Sequence, residues 1–339
     1  MFKVYRVVIV GAGFIGKIHA SPYRNLKNVE IKGFYDENSR KGKSAAKEFN
    51  VSFYDNYDSV LDDNLVDIVD VCVPTFLHKK VVIKVLKTGK NVLCEKPIAL
   101  DLKDADDIIN EAEKAKGKFM VTHNHRFQVE NVMCKEVADS GKLGKILSCS
   151  SYRLGIRPDW SEGNWMNDPK LSGGAATDFI LHDIDFCNWI GGKPIMVTAQ
   201  GIRSKTGAWD YMDISINYDS GIKGFVEGGW MCKGEFPFTQ EVRILGDKGT
   251  IDWISRAEKN IEKRAQAASR VAVYLEGQSV KYPEIQKKDP YEIEIGYFIE
   301  CLKNDKPIEV VKPIDARRAL EVSLMAKQSA ETGKTIRLN

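Results

Sequence analysis

Asp178, His182 and Asp185 lie four and then three residues apart in the segment Gly173-Gly174-Ala175-Ala176-Thr177-Asp178-Phe179-Ile180-Leu181-His182-Asp183-Ile184-Asp185. On a helix running from about Ala175 to Ile190, that spacing puts one imidazole and two carboxylates on a single face and leaves Phe179, Ile184 and Phe186 to meet a core. Such a stripe is either a core histidine hydrogen-bonded to its carboxylate or a place for acid–base work. A metal would want further convergent His or Cys donors, and the chain has only five histidines, so no metal is expected there.

A second candidate is cationic. Asn91-Val92-Leu93-Cys94 reads as a short apolar strand that runs into Glu95-Lys96-Pro97. The proline ring stiffens the chain there, so Lys96 is held rather than left to snorkel at the surface. Val71-Cys72-Val73-Pro74-Thr75-Phe76-Leu77-His78 ends the preceding strand in the same fashion. In a doubly wound sheet the carboxyl ends of strands line the ligand crevice. Val73, Pro74, Thr75, His78, Glu95 and Lys96 are therefore candidate cofactor-facing residues.

The third candidate binds phosphate. Gly11-Ala12-Gly13-Phe14-Ile15-Gly16 follows the strand Val7-Val8-Ile9-Val10 and opens a helix continuing to about Arg24. Gly11 allows a sharp turn, Gly13 lets the backbone approach a pyrophosphate, and Gly16 lets helix and strand pack closely; the helix N-terminus then offers unpaired N–H groups to the anion. Asp36, twenty residues past Gly16, can accept hydrogen bonds from the adenosine ribose hydroxyls and, with Glu37, would repel a 2′-phosphate. NAD is accordingly expected over NADP. Ser39, Arg40, Lys41 and Lys43 lie close enough in sequence to take a phosphate instead, and Arg40 is kept in the cofactor set for that reason.

The elements that must position these residues fall into two patterns. From Val4 to about Thr122, continuous β-branched runs (Val7 to Val10, Glu30 to Tyr35, Ile68 to Val73, Asn91 to Cys94, Lys118 to Val121) alternate with helical segments. That rhythm predicts a parallel sheet buried on both faces, a Rossmann-type half over residues 1–122. Beyond it, over 123–339, come a helix near Glu130 to Ser140, a long loop from Leu154 to Leu171, the helix bearing His182, and period-two strands at Ile195 to Ser204, Met212 to Tyr218, Gly224 to Met231 and Glu241 to Leu245. Two apolar helices, about Tyr291 to Lys303 and Ile314 to Thr332, close the chain. The fold expected is α/β, an N-terminal Rossmann fold followed by an α+β domain with a large, mainly antiparallel, open-faced sheet. Too few helices remain to cover both faces of that sheet, so a homodimer or homotetramer built through it is expected.

Taken in order, Gly11-x-Gly13-x-x-Gly16, Pro74-x-x-x-His78, Glu95-Lys96-Pro97, His125-Arg126-Phe127 and Gly173-Gly174-x-x-x-Asp178-x-x-x-His182-x-x-Asp185 resemble the glucose-fructose oxidoreductase and inositol dehydrogenase family, Gfo/Idh/MocA, over nearly the whole chain. The resemblance implies hydride transfer between a nicotinamide and a secondary alcohol or ketone of a sugar, cyclitol or sugar nucleotide, with Lys96, Asp178 and His182 as the catalytic trio. It also implies that the stretch Asn124, His125 and Arg126 contributes to the substrate pocket, although His125 stands where inositol-type members carry arginine. Arg126 can equally be an inter-domain salt-bridge residue. His19, which also fits the family pattern, reads as structural. The loop carrying Trp160, Asn164, Trp165 and Asp168 is long enough for a substrate lid, and Trp165 offers a ring face to a sugar.

Chemistry agrees with these roles. Oxidising a secondary alcohol means taking its hydroxyl proton as hydride leaves the carbon, and imidazole titrates near working pH, so His182 is the candidate base. Lys96 can hold the reacting oxygen, or can itself carry the proton while His182 positions the substrate. Asp178 can bind a neighbouring hydroxyl. Two other functions share these motifs: a glycoside hydrolase that oxidises its sugar transiently with bound NAD, and a non-enzymatic NAD-binding regulator, which would need none of the trio.

Composition is that of an ordinary globular chain: 339 residues, 43% apolar and 29% charged, with 50 Lys plus Arg against 47 Asp plus Glu. The charges are interspersed, which excludes a nucleic-acid footprint. Met1 to Val10 already reads as a strand with no room for a leader, no apolar run suffices to span a membrane, and seven cysteines without a CxxC pair suit a reducing compartment, so a cytoplasmic protein with small-molecule partners is expected.

Overall fold

Six aliphatic runs pair in parallel to form the first sheet: β1 (Tyr5–Val10), β2 (Val29–Tyr35), β3 (Ser52–Phe53), β4 (Ile68–Val71), β5 (Asn91–Cys94) and β6 (Phe119–Val121), in the order β3-β2-β1-β4-β5-β6. Val7, Val8, Ile9, Ile68 and Val71 are fully buried, as strands covered by crossover helices on both faces must be. The order reverses between β1 and β4, and a doubly wound sheet binds its ligand outside the strand ends at such a switch. The computed structural model describes residues 3–158, 162–257 and 268–338, and the chain divides into two units, Met1–Phe127 with Lys288–Arg317 and Gln128–Lys287 with Arg318–Asn339.

The division differs from a single boundary after residue 122. The helix Pro290–Lys303 buries Ile295, Phe298, Ile299 and Leu302 in the same core as Tyr5, Val7, Ile9 and Phe34, so it belongs with the first sheet despite arriving 170 residues later. Its apolar face was visible in the sequence; its partner was not, because periodicity carries no record of which core a helix joins.

The second unit is built on an eight-stranded sheet, order β13-β12-β11-β7-β10-β9-β8-β14. Its strands are β7 (Ile146–Leu154), β8 (Pro194–Arg203), β9 (Trp209–Tyr218), β10 (Lys223–Gly229), β11 (Thr239–Gly246), β12 (Gly249–Arg256), β13 (Ala268–Leu275) and β14 (Ile336–Arg337). All neighbours are antiparallel except β7 and β10. Central β7 was not legible as a strand. Its inward positions are Cys149, Ser151 and Arg153, and the latter two are satisfied by Asp183, whose carboxylate accepts from Ser151 Oγ at 2.6 Å and Arg153 Nε at 2.6 Å. The period of two is present in burial but not in hydrophobicity. β12, β13 and the short β3 and β14 were likewise absent from the sequence reading.

The helix expected from Ala175 to Ile190 is two pieces, Ala175–Asp178 and Leu181–Gly191. Ile180 N–H reaches back five residues to the Ala175 carbonyl, which widens the turn and breaks the regular ladder. Asp178 and His182 therefore sit on consecutive helices rather than on one unbroken face. Among the described residues, no helix is long and apolar enough to cross a membrane.

Candidate active site

The glycine turn is shaped by close backbone approach. Gly11 has φ +104°, and a Cβ there would stand 2.4 Å from the Cys72 carbonyl oxygen; a Cβ on Gly16 would stand 1.9 Å from the Gly11 oxygen. Only glycine fits either place. Gly13 is different: a Cβ there would meet nothing within 4 Å. The helix Phe14–Tyr23 starts directly after it, with Phe14 exposed and Ile15 half-buried. Main chain left open at the start of a helix is an arrangement into which a pyrophosphate fits.

Asp36 directly follows β2, its carboxylate fixed by two main-chain donors, Ala12 N–H to Oδ2 and Asn38 N–H to Oδ1, both at 2.8 Å. The turn and the acidic residue are thus one assembly, and the carboxylate keeps lone pairs for ribose hydroxyls. Asn38 caps the helix Ser39–Phe49, on whose first turn Arg40 is exposed. The residues present fit NAD.

Across the switch point, Val73 and Pro74 are half-buried and Thr75 buried, opening the turn Thr75–Leu77. The His78 ring is committed inside the protein, its Nδ1 2.8 Å from the Pro97 oxygen and its Nε2 3.0 Å from the Val73 oxygen. Burial pulls its pKa below the usual value, and a neutral ring donates through one nitrogen, best along the shorter contact. His78 thus braces the two strand ends that flank the crevice. Glu95 is buried and Lys96 half-buried, with Lys96 N–H 3.1 Å from Glu95 Oε2; the Lys96-Pro97 bond is cis.

After β6, Asn124, His125 and Arg126 form one 3-10 turn, each nearly buried. Arg126 Nη1 lies 3.0 Å from Asp315 Oδ2 and donates to the Val310 oxygen at 2.8 Å, an ion pair within the first unit. Arg126 is thus in a salt bridge, and the bridge joins residues of the same unit.

In the second unit, Asp178 and His182 are both buried to about nine-tenths, at 8% and 9% exposure. Asp210, wholly buried, accepts the Ala175 N–H at 3.1 Å at the start of the first short helix and is paired on its other oxygen with Arg157. Arg157 also donates to Asn167 Oδ1 at 2.5 Å and lies over the Trp230 ring. The loop is therefore tied to the helix that carries Asp178. Thr177, next to Asp178, bonds Ser323 and Lys327 of the helix Pro313–Thr332, and burial lowers the Lys327 ammonium to about 8. Trp165, in the turn Glu162–Asn167, is half-buried against the unit's core, and Asp168 caps the helix Pro169–Ser172. Trp160 lies outside the described residues.

Arg157, Asp210, Asp183 and Arg153 were not identified from sequence as a set. Their pairings span 53 and 30 residues, and no local spacing announces them. A different cluster also escaped notice: in the first unit the His19 ring lies between Asp70 and Glu95, with Cys72 Sγ 3.5 Å from Nδ1.

Two family models match the chain. Residues 5–123 match the oxidoreductase family with an NAD-binding Rossmann fold, and residues 132–252 match the GFO/IDH/MocA C-terminal domain. The chain belongs to the Gfo/Idh/MocA oxidoreductase family. It is thus an NAD-binding oxidoreductase. Among its relatives is a myo-inositol 2-dehydrogenase of Thermotoga maritima, 26% identical over 98% of both chains. Another is a 2,7-anhydro-N-acetylneuraminate hydratase of Escherichia coli, 32% identical over 72% of this chain and 66% of the relative. The crystal structure of GenD2 from gentamicin A biosynthesis in complex with NAD shares the fold at a TM-score of 0.84, with 24% identity over 100% of this chain and 97% of that one.

Proposed function

We propose that the protein interconverts a secondary alcohol and ketone on a cyclitol, sugar or sugar nucleotide, with NAD rather than NADP. The observation that carries the cofactor choice is the Asp36 carboxylate, pinned by Ala12 N–H beside the open main chain of Gly13. The substrate class follows relatives named for inositol, glucose 6-phosphate and UDP-N-acetylglucosamine.

Bound NAD supplies the acceptor or donor of the hydride. His182 takes the hydroxyl proton in the oxidative direction, Lys96 holds the reacting oxygen and offsets its developing negative charge, and Asp178 accepts a hydrogen bond from a neighbouring hydroxyl. Gly11, Gly13, Phe14, Ile15 and Gly16 hold the pyrophosphate and Asp36 the ribose. Asn124, His125 and Trp165 are assigned to the substrate. Arg126 acts on it only through the turn that its bond to Asp315 fixes.

The open face of the second unit's sheet supports a homodimer or homotetramer. Leu147, Ile202, Phe225 and Leu245 are exposed there, around a groove of about 300 Å³ lined by Tyr152, Phe225, Glu227 and Arg243. Seven free cysteines support a cytoplasmic location.

The test is a screen of myo-inositol, scyllo-inositol, glucose, glucose 6-phosphate and UDP-N-acetylglucosamine with NAD and NADP, followed by nicotinamide absorbance. Reduction of NAD by a member of the set is expected, and a clear NADP preference would overturn the reading of Asp36. The hydratase relatives favour a second reading, a cycle with no net change in the nicotinamide. Substrate consumption without free NADH would select it.

A further inference from the structure

The His19 ring is wholly buried in the first unit with a carboxylate at each nitrogen: Nδ1 is 3.0 Å from Asp70 Oδ2, and Nε2 is 3.0 Å from Glu95 Oε1. A neutral imidazole donates through one nitrogen only and would turn a lone pair on the other carboxylate, whereas an imidazolium donates to both. Burial is the largest single influence and opposes the charge, but the charges and hydrogen bonds of Asp70 and Cys72 together raise the His19 pKa well above the usual value. The groups facing the ring come from every side: Tyr23 on its own helix, Asp70 and Cys72 from β4 and the chain just after it, Glu95 from the end of β5, and Tyr291 and Glu294 from the helix Pro290–Lys303. Glu95 in turn faces His19, Lys96, His78, Glu294, Cys72 and Cys94, and accepts a hydrogen bond from the Thr122 hydroxyl.

Glu95 is the hinge of the cluster. Its Oε2 accepts the Lys96 N–H at 3.1 Å, while Oε1 receives His19. Burial favours the neutral acid at this place, and the hydrogen bond and charge of His19 are the largest influences acting the other way. Removing the imidazolium takes away the largest of these and leaves the Lys96 charge and the Thr122 hydroxyl acting against burial, so the Glu95 pKa rises.

We propose that His19 is a positioning residue for Lys96: a buried cation that keeps Glu95 an anion, so that Glu95 holds the Lys96 main chain and faces its ammonium with a fixed negative charge. The proposal rests on the reading of Lys96 as catalytic. It makes His19, a wholly buried ring, a requirement of the chemical step.

The experiment uses His19→Gln and the double variant His19→Gln/Asp70→Asn, which removes the second unpaired carboxylate and so protects the fold. Because the buried Glu294 carboxyl is itself raised well above its usual value, all infrared spectra are taken on cofactor-free proteins in a Glu294→Gln background; across about pH 6 to 9 the His19→Gln variant should show a protonated-carboxyl stretch absent from the Glu294→Gln parent and retained in the double variant, where Asp70 cannot supply it. With NAD and the first active member of the screen, the ratio of variant to wild-type kcat should rise with pH by about tenfold, because a raised Glu95 is neutral at low pH and ionised at high pH. KM and NAD affinity should stay within about threefold. A missing band, a pH-independent ratio, or failure of both variants to fold would each overturn the proposal and leave His19 a purely structural residue. Lys96→Met separates the two readings: if it keeps native turnover, the catalytic role of Lys96 falls whatever the infrared band shows.

Discussion

The residues proposed for the cofactor and those proposed for the substrate are held by different means. In the first unit the geometry is made by main chain against main chain, with Gly11 against Cys72, Gly16 against Gly11, and Asp36 bonded to Ala12 N–H. In the second unit it is made by side-chain charges reaching across tens of residues, Arg157 to Asp210 and Arg153 to Asp183, which lock the loop, β7 and the two short helices around Asp178 and His182. A backbone-built site needs particular residue types in a short stretch. A side-chain-built site needs only complementary partners somewhere in the fold.

The contrast can be broken most directly at the glycines. Gly11→Ala forces a strained φ and a clash with Cys72, so NAD affinity should fall about a thousandfold along with a clear loss of Tm. Gly13→Ala meets nothing, so the unfolding free energy should hold within about 0.5 kcal/mol while NAD affinity falls about a hundredfold, read by titration calorimetry. Unchanged NAD binding in Gly13→Ala would mean that the open main chain is not the cradle.

On the other side, Asp183→Ala removes the carboxylate paired with Arg153, both nearly inaccessible at 2% and 4% side-chain exposure. Leaving that guanidinium buried without its counter-charge should cost about 3 kcal/mol in denaturant unfolding, with NAD affinity untouched. A loss under about 1 kcal/mol would show that β7 is held by its strand neighbours alone.

These differences explain what was legible. The parallel sheet, the glycine turn, Asp36 and Glu95-Lys96-Pro97 were all readable, because continuous apolar runs and glycine spacing are local signals. β7 was not, since its inward Ser151 and Arg153 look like loop residues until Asp183 is placed over them. The break at Ile180 was invisible for a similar reason: its sequence is apolar and helix-compatible, and only the bond from Ile180 N–H to the Ala175 carbonyl reveals it. His19 was read as structural and not as a ring set between two acids, because Asp70 and Glu95 lie 51 and 76 residues away.

A smaller effect sharpens the same contrast within the first unit. Burial, with Glu95 nearby, raises the Glu294 pKa well above its usual value. A carboxyl raised on folding costs nothing below its unfolded pKa and costs up to about 1.4 kcal/mol per pH unit above it, until the folded pKa is reached. Glu294→Gln keeps an acceptor for His123 N–H and removes that cost. Its Tm advantage over the wild type should therefore grow from about pH 5 to pH 8. An advantage independent of pH would contradict the assignment.

The catalytic assignment itself is tested by Lys96→Ala and His182→Ala, one substitution in each unit, assayed for kcat with the active polyol or sugar and for NAD affinity. Each variant should lose about a thousandfold or more in kcat while binding NAD within about threefold of the wild type. Near-native turnover in either one would contradict the shared role proposed for the two residues.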